Sequence, residues 1–289
     1  MRDDHNTAVL NTYRYLRLAT LAVVVMLAVS IGAQRLAAGC WQTSISAYYF
    51  TGAHSIFVAS LCAIGACLIV YQGNTDTEDV VLNFSGFLAF IVAMVPTTRE
   101  AICAGPALPA AYDVSPGVRN NVLAVIVAGV VSEIARVIIS RNADRLPPSL
   151  WARRATLIGW ALLAVGALGF FAFPDNFTAK GHTVAAVSMF VGIIAVILLN
   201  ALSAQAHDRS RNYGPAYRVI AAVMALALAV VIVIRLVIPG WLHIVIWVEV
   251  VLIAAFAAFW IAQTAELWEV ADRRELAPTS RDLPDPTGR

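Results

Sequence analysis

Apolar positions in this chain run in long blocks, and polar positions collect in the short gaps between them. Eight blocks stand out, at 18–38, 53–72, 80–96, 120–140, 154–173, 182–204, 216–238 and 241–266. A helix rises about 1.5 Å per residue, so about 20 apolar residues cover the hydrocarbon core of a bilayer. The pattern therefore predicts eight membrane-spanning helices. The third is cut short by Pro96 and the polar run after it. Only Pro239-Gly240 separates the last two, which predicts a helical hairpin. The expected fold is an all-α, polytopic transmembrane bundle. Residues 1–17 form a cytoplasmic leader, 18–268 the eight-helix domain, and 269–289 a disordered, Pro-containing cytoplasmic tail.

Composition agrees with that class. Apolar residues make up 60% of the chain against 13% charged, where soluble domains hold about 45–50% and about 25%. Charge then sets the orientation. With both termini inside, 14 of the 20 basic residues fall on inner connections, from Arg2, Arg14 and Arg17 to Arg273 and Arg274. Only Arg99, Arg119 and Lys180 fall outside, and Arg35, Arg136 and Arg235 lie within spans. That bias is the positive-inside signature. The excess of Arg over Lys points to a bacterial inner membrane, and the inner arginines suit lipid headgroups rather than nucleic acid. The first span carries no convincing cleavage site before Cys40 and reads as retained. No phosphate-binding glycine loop occurs, which argues against ATP use by this chain.

Candidate chemistry is sparse. Cys40 and Cys103 fall on the same, outer side and are candidates for a disulfide, while Cys62 and Cys67 read as apolar fillers. Lines of small residues at Ala59, Ala63 and Cys67 and at Gly159, Gly166 and Gly169 mark expected close helix contacts. Ionisable groups inside spans are costly and so demand partners. Glu133 and Arg136, three apart, share a helical face and are expected to pair; the alternative is a proton or ion relay. Glu249 has no basic neighbour on its own helix, and Arg235 across the hairpin is its expected partner; the alternative is a carboxylate lining a water-filled cavity. His54, His182 and His243 fall at the outer ends of three spans. They are either ordinary interfacial residues or a three-histidine zinc site, with Glu249 or Asp113 as base.

The most distinctive segment is Cys40 to Thr51. Its aromatics, Trp41, Tyr48, Tyr49 and Phe50, fit an interfacial belt. Thr43, Ser44, Ser46 and Thr51 fit a re-entrant loop lining a pocket. The run Ser44 to Thr51, continuing into Phe57-Val58-Ala59, resembles a group of bacterial multi-pass membrane proteins with a Ser-Ile-Ser-x-Tyr-Tyr-x-Thr segment. Val95-Pro96-Thr97 is similar to a second stretch of that group. The resemblance covers about a quarter of the chain and implies a helical membrane protein without implying an activity. Membrane hydrolases of the ceramidase and adiponectin-receptor type offer a contrast. Their paired histidines at four-residue spacing are missing here, because Trp247 follows His243 at that spacing.

The expected function is binding or moving a small or lipid-like molecule through an outward-facing polar pocket. Ser44, Ser46, Tyr48, Tyr49, Thr51, Glu249 and Arg235 are its candidate residues. A zinc-dependent hydrolase and a non-catalytic subunit that docks on a membrane-protein partner remain the alternatives, and catalysis is the less expected outcome.

Overall fold

The computed structural model describes residues 2–97, 103, 115–142, 150–207, 210–237, 244–271 and 273. Among the described residues the chain is wholly helical. The helices are α1 (Arg2–Ala38), α2 (His54–Val70), α3 (Asp76–Met94), α4 (Ser115–Asn142), α5 (Leu150–Ala172), α6 (Pro174–Gln205), α7 (Gly214–Val237) and α8 (Ile244–Glu266). Two short 3₁₀ turns, Ser46–Phe50 and Arg211–Tyr213, accompany them.

Six helices packed side by side make a closed ring. α1 packs on α2, α2 on α3, α3 on α6, α6 on α7, α7 on α8, and α8 returns to α1. α4 and α5 pack on each other and lean on α3 and α6. α4 leaves Val127, Val131, Ile134 and Ile138 exposed, and α5 leaves Leu157, Val165, Leu168 and Phe171. Water would penalise such faces; lipid does not, because its tails are as apolar as they are.

Each predicted block becomes a helix; among the described residues six helices are long and apolar enough to cross a membrane, and α2 is shorter. The helix boundaries also move. α1 starts at Arg2 and includes the predicted leader, since nothing in Thr12-Tyr13-Arg14-Tyr15-Leu16-Arg17 breaks a helix. α3 starts at Asp76, where Thr75 accepts the Glu78 N–H at 3.2 Å. That cap places Asp76, Glu78 and Asp79 in the first turn, where the helix dipole favours acids. α6 starts at Pro174, which lacks the N–H that a first turn would leave unpaired. α1 ends at Gly39, whose φ of +74° is left-handed and whose N–H returns to Arg35 O. The predicted hairpin at Pro239-Gly240 lies outside the described residues.

The closest helix contact is between α2 and α3. A Cβ on Gly65 would stand 2.7 Å from the Gly86 carbonyl oxygen, and one on Gly86 2.6 Å from that of Gly65. On α5, Gly159 faces the Glu133 carboxylate, Gly169 lies near Phe177, and Gly166 has nothing within 4 Å. The predicted glycine face is thus not a continuous seam.

Candidate functional site

Cys40 and Cys103 are joined as predicted, their Cα atoms 6.1 Å apart. The disulfide marks one end of the bundle, and the opposite end holds Arg17 of α1 and the segment after α8.

At the disulfide end the Cys40–Thr51 connection is folded inward. Gln42 to Thr51 are all buried, including Tyr48, Tyr49 and Phe50, so the three aromatics do not lie in a surface belt. The segment is held by its own hydroxyls. Ser44 Oγ accepts the Ala47 N–H at 3.0 Å, Thr51 Oγ1 donates to Tyr48 O at 2.8 Å, and the Ala53 N–H donates to Thr51 Oγ1 at 3.2 Å. It is also tied to α8. Thr43 O accepts the Ile246 N–H at 3.1 Å, one of the first-turn donors that a helix leaves unpaired. The Glu249 carboxylate accepts the Ile45 N–H and, at 3.3 Å, the Ser46 hydroxyl. Trp41 packs on Trp247 with ring centroids 5.5 Å apart. Sequence reasoning sought the partner of Glu249 on another helix, yet these contacts come from backbone and hydroxyl donors of the loop.

Inside the ring, directly below this loop, is an apolar cavity of about 60 Å³. Val24 and Leu27 of α1, Phe57 and Leu61 of α2, Met189 and Phe190 of α6 and Phe256 of α8 form its walls. Ser46 and Glu249 are its polar lining. Among the candidate pocket residues, Ser46 and Glu249 therefore reach the cavity. Ser44 and Thr51 brace the loop, and Tyr49 packs on His54 at a centroid distance of 4.3 Å. The side chain of Arg235 lies outside the described residues.

Two of the three histidines are described, and each bonds a backbone oxygen. His54 Nδ1 meets Tyr49 O at 2.6 Å, and His182 Nδ1 meets Val95 O at 2.6 Å. His243 and Asp113 lie outside the described residues. Among the described residues no three His, Cys, Asp or Glu side chains group as metal ligands would. Glu133 is half-buried against Gly159, while the side chain of its predicted partner Arg136 is not described.

The opposite end holds a polar cluster that sequence reasoning did not anticipate. Arg273, beyond α8, is fully buried and forks onto the Glu266 carboxylate through Nε at 2.6 Å and Nη2 at 2.5 Å. Its Nη1 donates to Asn200 Oδ1 at 2.8 Å. Asn200 also receives Gln263 Nε2 at 3.0 Å and donates to Glu78 Oε1 at 2.6 Å. Glu78 Oε2 accepts the Asn74 N–H at 2.9 Å, and Tyr217 donates to Glu266. Arg17 of α1 holds the segment after α8 by its carbonyls, Leu267 O and Ala271 O, each at 2.9 Å. Burial works against the Arg273 charge, but the Glu266 carboxylate more than offsets it and holds its pKa above the usual value. Burial likewise pushes the Tyr71 hydroxyl, a partner of Arg17 at 3.3 Å, far above the ordinary tyrosine value. Three atoms stay open at this end: the acceptor Gln263 Oε1, the donor Trp260 Nε1 three residues away on α8, and the Ser210 hydroxyl between α6 and α7. The boundary expected at 269 thus runs through a packed cluster, since Ala271 and Arg273 are both buried.

Asn200 and Gln263 were the available signal. Each is a lone amide within an apolar block, where an unpaired amide would be costly. Matching protein-family models, curated proteins and solved structures against the chain gives no match. The fold and its exposed apolar faces define the class: among the described residues, an all-helical protein with six helices fit to cross a membrane.

Proposed function

We propose that this chain is a multi-pass inner-membrane protein, both termini cytoplasmic, that binds a small lipid-like molecule at the disulfide end, on the outer side. The observation that carries the reading is the apolar cavity under the buried loop, with Ser46 and Glu249 as its polar lining. An apolar void inside a protein stays dry and takes up apolar molecules. At about 60 Å³ it receives one end of such a molecule rather than a whole lipid. The loop clamp on α8 makes Glu249 a wall of the site and a brace for it at once.

Native mass spectrometry of protein purified in a mild detergent tests this. We expect an apolar adduct, about one per chain, that is displaced when Leu61→Trp fills the cavity. Wild-type protein that carries no adduct and takes up none from added lipid would sink the reading. Metal content of the same preparation tests the hydrolase. About one zinc per chain, lost in a His54→Ala/His243→Ala variant, would replace lipid binding with metal-dependent hydrolysis as the function.

A further inference from the structure

A second feature at the disulfide end concerns what the bound molecule carries at its polar end. Val24, Leu27, Ile31 and Gln34 follow one another at three- and four-residue steps, so they share one face of α1. Val24 and Leu27 line the cavity. Gln34 lies seven residues farther along that face, about 10 Å beyond Leu27.

Three buried polar atoms in this corner can donate and find no acceptor: Gln34 Nε2, Arg35 Nε and the Tyr48 hydroxyl, whose oxygen the Gln42 peptide N–H faces. Gln34 and Tyr48 are at least nine-tenths buried, at 9% and 0% exposure. The Gln34 carbonyl oxygen lies against Gly52, where a Cβ would stand 3.0 Å from it, so the amide NH₂ is the end left open. Burial raises the Tyr48 pKa and keeps its proton in place, while the Gln42 peptide and the Arg35 charge favour the phenolate. The Arg35 guanidinium packs over the Trp41 ring at 5.4 Å, which fixes its plane. Among the described residues no carboxylate pairs with it.

The imbalance is chemical. All three open atoms can donate, and one belongs to a cation whose charge also acts on Tyr48. Buried donors are ordinarily satisfied, and an anionic oxygen group satisfies several at once through charge-assisted bonds. We propose that Gln34, Arg35 and Tyr48 bind the anionic oxygen group, a phosphate or carboxylate, of a molecule whose apolar part occupies the cavity. This rests on the lipid-binding reading above and specifies its headgroup. The shared chemistry is the anionic oxygen; its source is either a membrane lipid or a free anion.

The test uses the full chain in neutral detergent and follows its melting midpoint and Trp fluorescence. Three probes are titrated: short-chain phosphatidylglycerol, short-chain phosphatidylcholine and inorganic phosphate. We expect phosphatidylglycerol to bind more tightly than phosphatidylcholine. Arg35→Gln and Tyr48→Phe should each weaken it by about tenfold, the loss of one charge-assisted contact. Each variant is read against its own unliganded midpoint, and Tyr48→Phe removes a single oxygen. Equal binding of both lipids, unchanged in the variants, would overturn the anionic site and leave lipid binding standing. Saturation by phosphate alone, with neither lipid adding to it, would keep the anionic site and overturn lipid binding. No response to any probe would overturn both.

Discussion

The two ends of this bundle hold comparable sets of polar side chains and use them differently. At the terminal end Arg273 lies between Glu266 and Asn200, and Glu78 between Asn200 and Asn74. Its open atoms are mixed in kind: the acceptor Gln263 Oε1, the donor Trp260 Nε1 on the same helix, and the Ser210 hydroxyl, which can do either. At the disulfide end Arg35 meets an aromatic face instead of a carboxylate, and the open atoms are all able to donate. A balanced network fixes helix positions. A lopsided one leaves an unmet demand for negative charge, and the cavity lies on that side of the molecule.

The strongest way to break this contrast is to unbalance the balanced end. Arg273→Ala should cost about 3–5 kcal/mol, because it leaves the Glu266 charge buried alone. Heat denaturation in detergent reads the loss, and Arg273→Ala/Glu266→Ala together should recover part of it. Reducing or replacing the Cys40–Cys103 bridge should cost about 2–4 kcal/mol, since it frees a long loop in the unfolded chain. Non-reducing electrophoresis verifies the bridge before melting is compared. Glu249→Gln keeps one acceptor but removes the charge, at a cost of about 1–2 kcal/mol. Faster hydrogen exchange at the Ile45 amide would report the loosened loop. Tyr48→Phe is the smallest change and the sharpest test. Removing an unsatisfied buried hydroxyl should leave unliganded stability within about 1 kcal/mol or raise it. A loss well beyond that would mean the hydroxyl is already satisfied, and the contrast between the ends would fail.

The helical blocks were legible because lipid imposes length and apolarity on each span independently, so each can be read alone. The disulfide was legible because the arginine bias sorts connections by side before any packing is known. The loop's role was half legible. Its hydroxyls suggested a folded-in segment, but that Glu249 would take the Ile45 N–H depends on where α8 begins, and sequence fixes that poorly. The terminal cluster was not legible. Arg17 and Arg273 read as topology charges: the partners of Arg17 lie about 250 positions away in sequence, where pairing has no periodicity, and Arg273, seven positions from Glu266, falls in a tail expected to be disordered. Arg35 was noted inside a span, but a missing partner shows only once the neighbours are in place.

Arg17 belongs to the first helix made and the carbonyls it holds to a segment made after the last. During synthesis the first helix therefore enters the membrane with a buried-type arginine that must wait for residues 267 and 271. Until they leave the ribosome, that tie between α1 and the segment after α8 cannot form. A chain stopped short of Leu267 would leave Arg17 without either carbonyl and Glu266 without its cation.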